Sequence, residues 1–168
     1  AVDMSSGAIV NSWSNAVAER TFPIAVWGDV RNTGYSENET GGLYSLGGVY
    51  QGVTYDLPAG TPTLSDGTSD GTYNYGVSWG TGQVYRFDRD WTNPVLQFAA
   101  GSSMGGISYN PVDGTFWTSA DRSSGIYHYA IDGTLLGSFA TVGNLDWNLA
   151  FDPTTGSLWV SQAFSGST

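Results

Sequence analysis

The chain has 168 residues, enough for one domain with its own core, and only 12% of them are charged against a usual ~25%. The formal net charge is −10 and the five cations are all arginine (Arg20, Arg31, Arg86, Arg89 and Arg122), too few for a basic face to neutralise phosphates, which excludes nucleic acid as a partner and disfavours an anionic membrane surface. Cysteine is absent, which excludes thiolate metal sites, disulfides and thiol nucleophiles, and no apolar run has membrane-spanning length.

Aromatics reach 14% and glycine 24 residues, a composition suited to short strands joined by tight turns. In chain order, Ala8-Ile9-Val10-Asn11-Ser12-Trp13 is a candidate strand, and Asn15 to Arg20 is a helical turn or a loop. Ile24 to Trp27 is an apolar run that predicts a buried strand. Residues 31–40 are polar, with weak strand character. Leu43 to Leu46 and Val49 to Tyr55 predict a hairpin around Gly47-Gly48. Asp66 to Thr72 (DGTSDGT) reads as a turn-rich loop. Strands follow at 73–79, 83–88 and 95–98. Asn110 to Gly114 is a turn, because proline fixes one φ and glycine supplies a positive one. Asp132-Gly133 is a second hairpin turn, and strands recur at 149–152 and 158–161.

Spacing organises these runs. Gly42-Leu43-Tyr44, Gly82-Gln83-Val84-Tyr85 and Gly125-Ile126-Tyr127 share a pattern whose tyrosines lie 41 and 42 residues apart. Ile107-Ser108-Tyr109-Asn110-Pro111 matches Leu149-Ala150-Phe151-Asp152-Pro153, and Trp117 matches Trp159, each 42 residues on. That period fits a propeller blade of four strands. The expectation is an all-β fold, a small β-propeller of about four units at 21–57, 58–100, 101–141 and 142–168. The fourth unit holds two strands. Three readings of that unit stay open: strand 8–13 completes it within the chain, strand 8–13 is donated to a neighbour, or the natural polypeptide continues past Thr168.

Chemistry is sparse. His128 is the one histidine, and its alternating slot between Tyr127 and Tyr129 reads as a strand position facing Arg86 of the preceding unit. Asp66 and Asp70 are weak candidates for calcium, since a hard cation wants several loop oxygens, but the segment lacks an EF-hand pattern. Asp88 and Asp90 around Arg89, and Asp121 beside Arg122, are carboxylates that could pair as acid and base, with solvated loop ends as the simpler account. Trp91, beside Asn93-Pro94, reads as the tryptophan exposed for glycan contact, whereas Trp117 and Trp159 read as repeated packing; Trp13 and Trp147 have no clear place. Asn38-Glu39-Thr40 has the form of a glycosylation sequon.

The segments ISYNPVDGTFWTS, GIYHYAIDGTLLGSF and LAFDPTTGSLWVS resemble the repeats of bacterial extracellular propellers of the NHL and SMP-30 type. Together with TFPIAVWGDVRNTGYSENETGGLYSL and DGTSDGTYNYGVSWGTGQVYRFDRDW, they make the whole chain similar to secreted propeller-like proteins that carry a PEP-CTERM sorting tail. The Pro-Glu-Pro of such a tail does not occur in the 168 residues. The resemblance implies export to the cell surface or matrix and no settled activity. The acidic and asparagine metal ligands of SMP-30-type lactonases have no recognisable counterparts, so that activity is not carried over. The expectation is therefore a non-catalytic extracellular structural or adhesive protein with no cofactor. Its expected partners are copies of itself, joined through residues 8–13, or extracellular polysaccharide. The alternatives are a calcium-dependent hydrolase or lactonase on a propeller, and a glycan-binding module.

Overall fold

The computed structural model describes residues 6, 8–17, 20–37, 39–101 and 103–162. Three four-stranded antiparallel meanders follow one another. The first holds β1 (Ile24–Val26), β2 (Val30–Asn32), β3 (Thr40–Tyr44) and β4 (Tyr50–Asp56). The second holds β5 (Leu64–Ser69), β6 (Asn74–Ser78), β7 (Gln83–Phe87) and β8 (Val95–Ala99). The third holds β9 (Met104–Asn110), β10 (Thr115–Ala120), β11 (Gly125–Tyr129) and β12 (Leu135–Ala140). A two-stranded sheet of β13 (Leu145–Asp152) and β14 (Ser157–Gln162) ends the described chain. No helix among the described residues is long and apolar enough to cross a membrane.

The period is real. Tyr44, Tyr85 and Tyr127 all lie in the third strand of their sheets. Successive side chains of a strand point to opposite faces, and here each face meets a different neighbour. Leu43 and Tyr85 pack into the core between the first and second sheets, with Ala25, Leu57, Leu64 and Phe87. Val84 and Tyr127 pack into the core between the second and third, with Val77, Phe98, Ile107 and Phe116. Ile126 packs against Leu145 and Leu149 of the fourth sheet. So the aliphatic of each third strand reaches forward and the tyrosine reaches back. Each fully buried Phe or Leu in these seams contributes ~1.5–3 kcal/mol. No sheet could bury both faces alone.

Tyr44 has no preceding sheet, and the N-terminal segment takes that place. Trp13 stacks on the Tyr44 ring at 4.8 Å, the Tyr44 hydroxyl donates to Asn15 Oδ1, and the Ala16 N–H donates to the Tyr44 oxygen at 3.1 Å. Residues 8–13 thus lie against the first sheet, with Asn11 Nδ2 donating to the Gly47 carbonyl at 3.4 Å. Among the described residues the sheet of β13 and β14 has two strands. Asn38 lies outside the described residues.

Two expectations need correction. Residues 66–69 are not loop but most of β5, the inner strand of the second sheet, and the turn is confined to Asp70–Thr72. Trp91 is fully buried, not exposed. It sits at positive φ (62°) after Asp88, whose carbonyl accepts the Trp91 N–H at 2.9 Å, and this tight turn swings the indole into the seam against Phe87. The glycine-centred turns hold as expected. Gly133, at φ 88°, closes the β11–β12 hairpin so tightly against β8 that an added Cβ would fall 2.3 Å from Phe98 Cβ.

Candidate functional site

The inner strands β1, β5, β9 and β13 surround a common axis. A strand on such an axis has no ladder partner on its inner edge, so its N–H groups need other acceptors. Side chains of the preceding unit supply them. Ile107 N–H donates to Asp66 Oδ2 at 3.0 Å, Tyr109 N–H to Thr68 Oγ1 at 3.0 Å, and Phe151 N–H to Ser108 Oγ at 2.9 Å. Numbers rise together on both partners, so these inner strands run in the same direction. Ala150, which matches Ser108 by the repeat, has no side-chain oxygen to offer.

Between these strands lies a cavity of about 320 Å³. Ile24, Val26 and Trp27 line it from the first unit, Asp66 to Ser69 from the second, Ile107 to Tyr109 and Pro111 from the third, and Leu149 to Phe151 and Pro153 from the fourth. Trp27, Pro111 and Pro153 stand just beyond the C-terminal ends of their strands. Toward the opposite ends, Phe22 and Trp147 meet edge to face at 5.5 Å, and Asp121 accepts the indole N–H groups of Trp147 (2.5 Å) and Trp79 (2.8 Å).

Trp27 is 48% exposed and is nonetheless held on both sides. Its indole presses on Gly71, where an added Cβ would come 2.6 Å from the ring. Its carbonyl accepts from Arg89 Nη2 at 3.3 Å. Arg89 also reaches Asp29 Oδ1 (2.6 Å) and Asn74 Oδ1 (2.8 Å), while Arg31 pairs with the other oxygen of Asp29 at 2.7 Å. Asp29 holds two guanidiniums from different units. Its hydrogen bond raises the Arg31 pKa, whereas burial lowers that of Arg89. Sequence reasoning missed Trp27 because Ile24 to Trp27 reads as a buried run; in the structure Ile24 and Val26 are exposed and line the cavity.

Asp66 is the one carboxylate in the cavity wall. Burial pushes its pKa well above the ordinary carboxylate range, opposed by the N–H donors of Ile107 and Gly67. It keeps a half-buried surface only because it faces the cavity. Asp70 does not join it. Asp70 caps its own hairpin, accepting the N–H groups of Thr72 and Tyr73 at 2.7 Å each and the Tyr75 hydroxyl at 2.8 Å. Among the described residues no group of three or more His, Asp or Glu side chains is placed to hold a metal ion.

The remaining candidates are also separated. Asp88 accepts Asn93 Nδ2 at 2.7 Å, Asp90 accepts the Thr92 hydroxyl at 2.5 Å, and Asp121 holds the two indoles. His128 faces away from Arg86. It lies flat on Trp117 at 4.0 Å, on the side that faces the fourth sheet, and its Nε2 is 2.6 Å from the Thr115 hydroxyl, which donates to Asp113. Arg86 instead stands over the Tyr73 ring at 4.5 Å.

A second feature lies on the far side of β13 and β14. Trp117 is half-buried beside the fourth sheet, with Ile126, Leu145 and Leu149. Its repeat match Trp159 is 49% exposed. Asn148, Ala150, Trp159, Val160 and Ser161 share a shallow concavity there, with no charged side chain in it.

No family model matches the chain, and no curated protein matches it. Solved structures do. A chain of a nidogen/laminin complex is 20% identical, with a TM-score of 0.67 over 87% of this chain and 58% of its own. An auxiliary nutrient binding protein from Bacteroides thetaiotaomicron is 9% identical, with a TM-score of 0.62 over 85% of this chain and 36% of its own. A Bacteroides caccae protein of unknown function is 15% identical, with a TM-score of 0.52 over 95% of this chain and 59% of its own. The chain therefore spans less than two thirds of the length of each. At these identities the likeness speaks to fold alone: with its repeated four-stranded sheets, the chain has a β-propeller-like fold.

Proposed function

We propose that the protein is a non-catalytic extracellular structural module that adheres to copies of itself through the face of its fourth sheet that presents Trp159. The observation that carries this reading is the mismatch between Trp117 and Trp159. The two are equivalent in the repeat, yet one lies under a following sheet and the other is half exposed. The lining of the Trp159 face carries no charge, so two such faces can meet although each chain bears −10. The corresponding side of the first unit is already covered by Trp13 on Tyr44. That asymmetry favours a closed pair, open face to open face, over a head-to-tail fibre.

Location outside the cell rests on the resemblance to secreted propellers. The absence of catalysis rests on the scattered carboxylates: Asp66, Asp70, Asp88, Asp90 and Asp121 each have donors of their own. The nutrient binding protein and the nidogen/laminin complex agree with a binding role. The calcium-dependent hydrolase remains the rival, and elemental analysis separates it, since it alone requires a stoichiometric metal. Sedimentation velocity across concentration tests the main reading. Dimer is expected for the chain and monomer for Trp159→Glu. A monomer at every concentration refutes it, as does a dimer that the substitution leaves intact.

A further inference from the structure

We infer that the axial cavity is a second, independent site, and that it takes one or two units of a neutral saccharide stacked on Trp27. Its size lies at the lower end of the range for small-molecule sites. The chemistry of its wall is selective. No arginine or histidine lines it, so a phosphate, sulfate or carboxylate would meet no counter-charge in a chain that is already acidic.

The groups that do line it suit a polyol. The indole face carries the negative side of a quadrupole, and the C–H face of a pyranose is apolar and weakly positive. Trp27 lines the cavity while 48% exposed, with its ring against Gly71 and its carbonyl held by Arg89. Little ordering is left for a ligand to impose, which favours affinity. Thr68 and Ser108 each accept one backbone N–H, and neither hydroxyl donates to another group among the described residues. Two hydroxyls of the cavity lining, on adjacent inner strands, therefore keep an O–H to donate. Asp66 adds acceptor capacity, because each of its oxygens takes one N–H and keeps a lone pair. A saccharide hydroxyl is both donor and acceptor, so this mixture satisfies it. A quaternary ammonium would prefer several aromatic faces, and Trp27 is the one strongly exposed ring in the wall.

The test is isothermal titration of the full chain with cellobiose, maltose and lactose, with choline chloride and inorganic phosphate as charged probes. Saturable binding of at least one disaccharide is expected, at least about tenfold weaker in Trp27→Ala and retained in Trp159→Glu. Retention in Trp159→Glu separates this site from the self-association above. Calcium chelation should leave the affinity unchanged. Saturation-transfer NMR on the unsubstituted chain should place the sugar C–H protons against an indole, which keeps the test valid if Trp27→Ala is poorly folded. The inference is overturned if none of the three disaccharides binds, if Trp27→Ala binds as well as the parent chain, or if choline alone binds.

Discussion

The hydroxyl links between inner strands can be removed one at a time with little change in shape. Thr68→Val keeps the volume and β-branching of the side chain and deletes the oxygen that accepts the Tyr109 N–H at 3.0 Å. An N–H left buried without an acceptor costs ~1–3 kcal/mol. Tyr109 is half-buried and borders the cavity, so water can partly replace the lost oxygen. The expected loss is therefore near the lower end, about 1–1.5 kcal/mol. With a urea m-value of ~2 kcal/mol/M, the midpoint should fall by about 0.5–0.75 M. Thr68→Ser keeps the acceptor and should lose less than half of that. Ala150→Ser supplies the natural control: it puts a hydroxyl at the matching position of β13, where no further inner strand is described, and should stay within ~0.5 kcal/mol of the parent. Urea unfolding followed by tryptophan fluorescence reads the midpoint, and hydrogen exchange of the Tyr109 amide reads the bond itself. If Thr68→Val costs no more than Ala150→Ser, or the Tyr109 amide exchanges at the same rate in both, these links do not join the units.

Burial raises the Asp66 pKa in the folded chain above its unfolded value of ~3.9, so the native state holds this proton more tightly. Its contribution to stability is greatest in acid and declines as pH rises from about 4 through the folded pKa; Asp66→Asn should flatten that decline, and parallel stability–pH curves for variant and parent would disprove it. Trp91→Ala removes a fully buried ring and should cost ~3–5 kcal/mol, whereas Trp27→Ala, half exposed, should cost under ~1.5 kcal/mol; equal thermal shifts would contradict the two placements. Gly133→Ala combines a positive φ of 88° with a Cβ placed 2.3 Å from Phe98 Cβ, and a loss of ~2–4 kcal/mol is expected by thermal unfolding. A loss below ~1 kcal/mol would show that the β11–β12 turn can lift off β8.

The repeat was legible because it is a chemical pattern as well as a spacing. Leu43-Tyr44, Val84-Tyr85 and Ile126-Tyr127 each put an aliphatic on one face and a phenol on the other, and the structure uses both faces the same way each time. β5 was not legible. Asp66-Gly67-Thr68-Ser69 has the composition of a turn, but its polar atoms serve the neighbouring strand: Asp66 and Thr68 accept from β9. Gly67 admits the Trp91 ring, which an added Cβ would approach to 2.9 Å. Local composition cannot report a partner 41 residues away. The tryptophans failed for a related reason. Trp91 sits in a polar loop and Trp27 in an apolar run, so their neighbours in sequence suggest the reverse of their burial. The φ of 62° at Trp91 and the glycine opposite Trp27 decide the matter, and both are tertiary facts. His128 was placed on the wrong face because its stacking partner Trp117 sits across a strand pair rather than across a seam.

The three links made by inner-strand N–H groups share a direction. In each case the earlier unit supplies the oxygen and the later one supplies the N–H. During synthesis from the N-terminus, a finished sheet would therefore wait with carboxyl and hydroxyl oxygens at its leading edge. Water solvates those cheaply until the next inner strand emerges. A ribosome-bound intermediate built this way grows in one sense, each newly made strand fastening onto a template that is already folded.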